Sequence, residues 1–323
     1  MTDVFLLADI GGTNARLALC NASSGDDTEL LITQIYQVRE NPTLIGSLKL
    51  FLKEHCAGMK IVAAAIAVAC PVIGDVVQLT NSDWICDKKA IIKLLGTPDV
   101  TVINDFEAVA YALNTLGPTD ITVMQQGMKS PQYPMLVMGP GTGLGIAALI
   151  PYDGGFKAVP TEAGHTRYAP ANTNESEMVK IVGRERLFVS SESLISGPGL
   201  VNIYRALCMM ADQMDKVPTR IEPSEVVTRA RAGDSLAKQT LQEFAAIFGS
   251  FASQLALSYN ALGGVYLAGG VLQKIGRDFD EARFLNRFTT NPTMANLLSR
   301  IPVTRVNANI PAFNGLQWLL KHR

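Results

Sequence analysis

The sequence predicts an α/β protein built from two similar halves, each with a mixed sheet. Apolar segments of strand length alternate with amphipathic helical patterns along the chain, which is typical of layered α/β folds. An apolar strand, a glycine-rich turn and a return strand occur at 4–20 and again at 135–150. This duplication indicates that the halves share a topology and face one ligand from both sides.

In the first half, Val4–Ala8 is apolar throughout, which predicts a strand buried on both faces. The turn after it is too short for a crossover connection, so Arg16–Cys20 is expected to return antiparallel. A helical pattern begins at Pro42, and its apolar face ends with Phe51 and Leu52. The other elements predicted here are a polar loop at 21–28, strands at 31–38, 61–69 and 100–103, and a helix with Phe106, Val109, Ala110 and Leu113 on one face.

The second half repeats the opening unit and continues into a helical region. Strands are predicted at 135–138 and 145–150, a long helix at 236–259 and a further strand at 265–267. A last apolar helix at 313–320 is expected to pack back onto the first half. Because 323 residues exceed the usual size of one hydrophobic core, we expect a small domain of 1–112 plus 307–323 and a large domain of 113–306.

The composition excludes several classes of protein. A net charge of −1 and no run of Lys and Arg exclude an extended nucleic-acid surface. The longest apolar run, 61–70, is far shorter than the ~20 residues of a membrane-spanning helix. Five scattered cysteines without a Cys-x-x-Cys pair are typical of reduced thiols. We therefore expect a cytoplasmic protein with no membrane and no nucleic-acid partner.

Three glycine-rich turns, each directly after an apolar strand, indicate where a ligand binds. They are Asp9–Asn14, Gly139–Gly145 and Ala268–Gly270. Glycine lets the backbone approach a ligand closely, and successive amides in such turns bind anions. Neither a Gly-Lys-Ser/Thr loop nor a Gly-x-Gly-x-x-Gly run occurs. The turns therefore predict a polyphosphate site of another design.

Asp9 ends an apolar strand beside the first of these turns. A buried carboxylate is costly unless it meets a cation. Mg²⁺ is a suitable cation, because it keeps its waters and needs few protein ligands. A turn-forming Asp that accepts hydrogen bonds from its own backbone is the alternative, and we favour the metal-linked role.

Asn104 and Asp105 lie where a predicted strand ends and a helix begins. They either cap that helix, or Asp105 is a catalytic carboxylate at the sheet edge where α/β folds bind ligands. One residue can serve both purposes.

Three further polar residues lie in predicted loops. Glu162 and His165 follow Pro160 in a tight loop, and Glu192 precedes the small-residue stretch Gly197–Gly199. Mixed donors and acceptors of this kind suit the hydroxyls of a polyol. A solvated surface pair and, for Glu192, the first turn of a helix are the alternatives.

Six motifs follow one another along nearly the whole chain. They are Asp9-Ile10-Gly11-Gly12-Thr13-Asn14-Ala15-Arg16, Asn104-Asp105-Phe106, Gly139-Pro140-Gly141-Thr142-Gly143-Leu144-Gly145, Glu162 with His165, Leu194-Ile195-Ser196-Gly197-Pro198-Gly199-Leu200 and Leu267-Ala268-Gly269-Gly270. In this order they closely resemble the bacterial glucokinases. That family belongs with hexokinase, actin and the heat-shock chaperone ATPases, in which two ribonuclease-H-like α/β domains close over ATP in an interdomain cleft.

The resemblance implies ATP-dependent phosphorylation of glucose at its 6-hydroxyl, with Asp105 as the general base. It assigns sugar binding to Asn104, Asp105, Glu162, His165 and Glu192. It assigns the ATP phosphates to Asp9, Gly11, Gly12, Thr13, Asn14, Gly141, Thr142 and Gly143, with Asp9 reaching Mg²⁺ through water, and places Gly269 and Gly270 near adenosine. It also implies a homodimer.

Two stretches depart from the family's pattern. Thr161–His165 lacks two glycines that are usual in this loop, which makes the loop stiffer, and Pro311–Gly315 replaces a small-residue stretch on the adenosine side. Three other functions stay open. They are a kinase for another hexose such as fructose or an amino sugar, an actin-like or chaperone-like ATPase that needs no sugar, and a sugar-binding regulator without catalysis.

Overall fold

The computed structural model describes residues 1–22, 29–80, 82–128, 130–308 and 311–322. The chain divides into two compact units, Met1–Gly117 with Ala308–Arg323 and Pro118–Asn307. Within the polar loop predicted at 21–28, residues 23–28 lie outside the described residues. The domain boundaries expected from the sequence stay a prediction, because compact units need not be domains that fold alone.

The first unit is built on a five-stranded sheet. Its elements up to residue 117 are β1 (Thr2–Ile10), β2 (Asn14–Asn21), β3 (Leu30–Gln37), α1 (Leu44–His55), β4 (Met59–Val68), β5 (Val76–Gln78), β6 (Ile85–Asp87), α2 (Lys88–Leu95), β7 (Val100–Asn104) and α3 (Asp105–Ala112). The sheet order is β3-β2-β1-β4-β7, and β5 and β6 form a separate pair. The first three strands are antiparallel, whereas β4 is parallel to β1 and β7 is parallel to β4. The predicted antiparallel hairpin is therefore confirmed.

The core of this unit follows from the alternation of side chains along β1. Leu6 and Ile10 are buried in one cluster with apolar residues of α1 and α2, and Leu7, which points to the other face, is buried as well. The predicted helix starts at Leu44 rather than Pro42, because the Thr43 side chain caps it by accepting from the Gly46 amide. Its predicted core residue Leu52 is only half-buried.

The second unit repeats this topology on a six-stranded sheet. Its elements are β8 (Ile121–Gln125), β9 (Met135–Pro140), β10 (Leu144–Tyr152), β11 (Gly155–Thr161), α4 (Thr173–Val182), α5 (Gly197–Met210), α6 (Pro223–Arg231), α7 (Ser235–Ser258), β12 (Gly264–Leu267), α8 (Gly270–Ile275), α9 (Glu281–Thr289), α10 (Ala295–Leu298) and β13 (Val303–Val306). The order is β11-β10-β9-β12-β13-β8. As in the first unit, three consecutive antiparallel strands, here β9, β10 and β11, are followed by strands that run parallel to the first of them, here β12 and β13 parallel to β9. The predicted duplication is therefore confirmed.

The long helix α7 is central to the helical part of the second unit. It packs against α5, α6 and α9, and its residues Phe244 and Phe248 are buried together with Phe284 of α9. The rings of Phe248 and Phe284 meet edge to face with centroids 5.3 Å apart, an arrangement that aromatic pairs favour. In the part of the chain that the structure describes, no helix is long and apolar enough to cross a membrane.

A last helix, α11 (Pro311–Lys321), belongs to the first unit. It packs against α3, β1 and β4, so the expectation that this segment returns to the first half is confirmed. Close approach of α11 to α3 depends on Gly315, because a Cβ there would overlap the carbonyl oxygen of Ala108. The helix that begins with Asp105 is thus supported from behind by the last helix of the chain.

Asp234 caps the N-terminus of α7, and its loss should weaken the second unit. Its Oδ1 accepts from the amides of Leu236 and Ala237 at 2.9 and 3.0 Å, and its Oδ2 accepts from the Tyr204 hydroxyl at 2.8 Å. Burial opposes the charged form, but these hydrogen bonds together lower the pKa of Asp234 from its ordinary value of 3.8. We expect Asp234→Ala to lower the free energy of unfolding by about 1–2 kcal/mol at neutral pH.

The pH dependence provides a second check on this cap. A lowered pKa in the folded state gives stability that is present above the unfolded pKa and is lost as the pH falls through the folded pKa. Urea titrations measure the free energy of unfolding. Its difference between wild type and Asp234→Ala should therefore become smaller as the pH falls below about 4. Ser235→Ala, at the exposed next position, is the matched control. If the stability difference between wild type and Asp234→Ala grew on acidification, the capping role of Asp234 would be contradicted.

Candidate active site

In the first unit, two predicted motifs lie at one edge of the sheet. The parallel strands β1, β4 and β7 are in register, with Ile10 beside Val68 and Val68 beside Asn104. The glycine turn that follows β1 and the Asn104–Asp105 pair at the end of β7 therefore emerge on the same side. Two strand spacings separate them, which is about 10 Å.

The turn between β1 and β2 has backbone amides that the chain itself does not use. The amide of Gly11 donates to the carbonyl of Asn14 at 2.9 Å, and the carbonyl of Thr13 accepts from Val38 at 2.9 Å. Among the described residues, the amides of Gly12 and Thr13 have no hydrogen-bond acceptor. The Asn14 side chain is held by Gln37, whose Nε2 donates to its Oδ1 at 2.7 Å. Unused amides in a tight turn are suited to an anion.

Asp9 is paired with Arg16, a residue that sequence reasoning did not single out. The two residues lie directly opposite each other in the β1–β2 hairpin, and Arg16 Nη1 donates to Asp9 Oδ2 at 2.8 Å. Burial raises the pKa of Asp9, and the neighbouring guanidinium offsets this only in part. The cation that this carboxylate meets within the chain is therefore an arginine, and its Oδ1 has no partner among the described residues.

Asn104 caps helix α3, and Asp105 is the first residue of that helix. Asn104 is the N-cap of α3, with Oδ1 accepting from the amides of Phe106 and Glu107 at 2.9 and 3.3 Å. Its Nδ2 donates to the carbonyl of Cys70 at 3.3 Å, which leaves one amide hydrogen as a donor for a ligand. Asp105 is the first residue of the helix and half-buried, in a position where negative charge is favoured.

In the second unit, Glu192 determines the shape of the turn between β9 and β10. Its Oε2 accepts from the Leu144 amide at 2.8 Å. A Cβ on Gly143 would lie 2.5 Å from the same oxygen, so a side chain at this position would displace the carboxylate from its present place. Within the described residues, the amides of Thr142 and Gly143 have no acceptor, which makes this turn a second place for an anion.

Glu162, His165 and Glu192 come together although the sequence separates them. The His165 ring lies between the two carboxylates, with Nε2 3.6 Å from Glu162 Oε2 and Nδ1 3.8 Å from Glu192 Oε1. These separations exceed hydrogen-bond length, so ligand hydroxyls have donors and acceptors to meet. Glu192 lies in a turn that ends before α5, which Ser196 caps; the alternative that it starts the helix is wrong.

The loop of Glu162 and His165 is the tight turn that the sequence predicts. Ala163–His165 forms a single 3₁₀ turn. Gly164, the glycine that this chain retains, lies against β10, where a Cβ would be 2.7 Å from the carbonyl oxygen of Leu144. The position that has no room for a side chain therefore still carries glycine.

The third glycine turn lies beside the second, because β12 is parallel to β9. Gly269 has a φ of 97°, a conformation that side chains disfavour, and a Cβ there would be 2.6 Å from the carbonyl oxygen of Pro140. Gly270 begins α8 with open space where a side chain would stand. The structure thus gathers Gly141–Gly143, Gly269 and Gly270 at one edge of the second sheet.

The sequence model of the glucokinase family matches residues 6–323. Relatives include the glucokinase of Saccharophagus degradans, 36% identical over 317 residues with 98% of each chain covered. The glucokinase of Yersinia pestis is 35% identical over 324 residues, covering 100% of this chain and 98% of the other. The bifunctional protein glk of Burkholderia pseudomallei is 38% identical over 315 residues, or 98% of this chain and 48% of that protein. The chain thus spans about half the length of such bifunctional relatives.

Solved structures show the same fold. A glucokinase from an Antarctic psychrotroph superposes with a TM-score of 0.87 at 29% identity, with 100% of both chains covered. A ROK family glucokinase from Streptomyces griseus, crystallised in complex with glucose and AMPPNP, superposes with a TM-score of 0.66 at 20% identity, with 98% of both chains covered. The predicted α/β fold of two ribonuclease-H-like halves, as in the actin-like ATPases, is confirmed.

Substitution of Gly143 should displace the Glu192 carboxylate. In Gly143→Ala the new methyl group forces Glu192 away from the Leu144 amide, and we expect the free energy of unfolding to fall by about 1–2 kcal/mol. Gly141→Ala is the control, because nothing lies within 4 Å of its Cβ position. Urea titrations that give equal stabilities for the two variants would argue against this role of Glu192.

Proposed function

The chain belongs to the glucokinase family, and from this we propose that it transfers the γ-phosphate of ATP to the 6-hydroxyl of glucose. One observation carries the proposal. A turn with unused amides and a carboxylate at a helix N-terminus, Asp105, lie at the same sheet edge. The separation of about 10 Å between their strands suits a terminal phosphate and the hydroxymethyl group that attacks it.

In the proposed mechanism, Asp105 accepts the proton of the sugar 6-hydroxyl as that oxygen attacks the γ-phosphorus. Phosphoryl transfer depends mainly on positioning and on neutralising charge, and α3 holds the carboxylate in place through the bond from the Phe106 amide at 2.9 Å. Asn104 would donate its remaining amide hydrogen to a second hydroxyl. Glu162, His165 and Glu192 are likewise proposed to bind sugar hydroxyls.

The glycine turns are proposed to bind the nucleotide. Amides of the Gly11–Asn14 turn and of Gly141, Thr142 and Gly143 would donate to phosphate oxygens. Gly269 and Gly270 would lie near adenosine, where the open space at Gly270 leaves room for the ligand. The complex of the Streptomyces griseus glucokinase with glucose and AMPPNP supports ATP as the phosphate donor.

Mg²⁺ is proposed as the cofactor, with Asp9 as the residue that fits it. The described residues contain no cluster of three or more metal-ligating side chains, but Mg²⁺ bound to ATP keeps waters and uses few protein ligands. Asp9 would hold the Mg²⁺ ion through water. One of its carboxylate oxygens accepts from Arg16, and the other has no partner among the described residues. The ion would neutralise phosphate charge during transfer.

We also propose a homodimer in the cytoplasm without a nucleic-acid partner. The dimer is supported by the family resemblance alone. The cytoplasmic location is supported by the five free cysteines, because thiols stay reduced in that compartment. The net charge of −1 supports the absence of nucleic acid, which would require a basic surface.

A coupled assay of ADP release distinguishes the proposed function from its alternatives. We expect release that depends on glucose, with lower catalytic efficiency for fructose and glucosamine because the hydroxyls would meet the polar groups differently. Preference for fructose or glucosamine would support the other hexose kinase. ADP release that does not depend on sugar would support an actin-like ATPase. Glucose binding without ADP release would support a sugar-binding regulator.

Asp105→Asn tests the general base while keeping an oxygen that accepts from the Phe106 amide. We expect kcat to fall by at least ~10²-fold, which is the usual contribution of general-base catalysis. Calorimetry should show that glucose affinity changes little. Glu107→Gln removes an acid from the same first turn of α3 and should retain near wild-type kcat. Near-normal turnover of Asp105→Asn would reject the assignment.

A further inference from the structure

The segment that carries Glu162 and His165 is joined to the segment that carries Glu192 by main-chain hydrogen bonds. We call them the paired loops, residues 162–168 and 189–192. Three bonds join them, from Glu192 N to Gly164 O at 2.9 Å, from Ser191 N to Thr166 O at 2.9 Å and from Tyr168 N to Val189 O at 3.0 Å. The position of His165 between its two carboxylates therefore depends on how the paired loops are held.

Tyr168 fixes one end of the paired loops. Its side chain is buried, and its hydroxyl donates to Glu175 Oε2 of α4 at 2.7 Å. Burial and the adjacent Glu175 carboxylate raise the pKa of Tyr168, so the phenol stays protonated and remains a donor.

Glu175 is fully buried, and both of its carboxylate oxygens are satisfied. Oε2 accepts from Tyr168 and from the Ala171 amide at 2.8 Å. Oε1 accepts from Asn172 Nδ2 at 3.0 Å and from Arg287 Nη1 at 2.7 Å. Arg287 belongs to α9, so this carboxylate links the paired loops to two helices of the second unit.

Stability alone does not account for this buried ion pair. Desolvating two charges offsets most of their attraction, and apolar residues of similar volume often serve as well. Arg287 Nη2 is buried without a hydrogen-bond partner among the described residues, which adds a further cost. What the arrangement does provide is a fixed geometry, since four directional bonds converge on one carboxylate.

We propose that Tyr168, Glu175 and Arg287 are positioning residues for sugar binding. They hold the paired loops so that His165 stays between Glu162 and Glu192. None of the three is assigned a contact with the substrate. This inference rests on the proposed function, because it treats the His165 cluster as part of the sugar site.

Tyr168→Phe is the sharpest test, because it removes one hydroxyl and keeps the ring. We expect the KM for glucose to rise about fivefold, which corresponds to the free energy of one hydrogen bond. The KM for ATP should stay unchanged. The matched control is Tyr204→Phe. Tyr204 is equally buried in the same unit and donates to a carboxylate, Asp234, at 2.8 Å, but it is not bonded to the paired loops.

The two variants should lose similar stability, so a purely structural role predicts the same kinetics for both. An unchanged KM for glucose in Tyr168→Phe, or an equal rise in Tyr204→Phe, would overturn the inference. Wild-type enzyme without glucose-dependent ADP release would instead count against the proposed function.

Imidazole NMR signals provide a readout that does not depend on activity. The chain has three histidines, and His165→Gln identifies the signals of His165. We expect these signals to shift in Tyr168→Phe and to keep their positions in Tyr204→Phe. Unshifted His165 signals in Tyr168→Phe would refute the positioning role, whatever reaction the protein catalyses.

Discussion

Parallel pairing of β1 with β4, and of β9 with β12, is the constraint on which the candidate residues of each unit depend. Parallel strands end at the same edge of a sheet, so the segments that follow them emerge side by side. In the first unit this brings the glycine turn to the same sheet edge as Asn104 and Asp105, two strands away. In the second unit it brings Gly269 against Pro140 and the neighbouring turn. The same arrangement occurs twice, and in each unit it involves one glycine turn with backbone amides that have no acceptor among the described residues.

Three buried or half-buried carboxylates differ in the set of hydrogen-bond donors that they meet. Asp9 has a guanidinium opposite it in a hairpin, Glu192 has a backbone amide, and Glu175 has a phenol, two amide groups and an arginine. The least exposed of the three has the most donors, which offsets the cost of its desolvation. Glu175, with no exposed surface, needs four donors, while Glu192 keeps one oxygen toward His165 and solvent.

Much of the fold could be predicted from the sequence because its signals are local. Apolar strands, short glycine turns and helical spacing gave β1, β2, β4, β7, β9, β10, α7 and α11 within a few residues. The start of α1 was misplaced because the Thr43 cap depends on a side-chain hydrogen bond. The edge strands β8 and β11 were not predicted, whereas β3, an edge strand of similar exposure, was.

The candidate residues could be named from the sequence, but most of their contacts could not. Arg16 could have been found, because a hairpin with so short a turn places it opposite Asp9. The approach of Glu192 to His165 and the pairing of Arg287 with Glu175, 112 positions apart, depend on how separate elements pack. No local pattern encodes such contacts. Gly143 is similar, because the carboxylate that excludes a side chain there comes from residue 192.

The contact between Gly315 and Ala108 has a consequence for biosynthesis. A ribosome makes α3 early and the whole second unit next, and only then α11, which supports α3. The surface of β1 and β4 that α11 covers therefore stays exposed until the whole second unit has been translated.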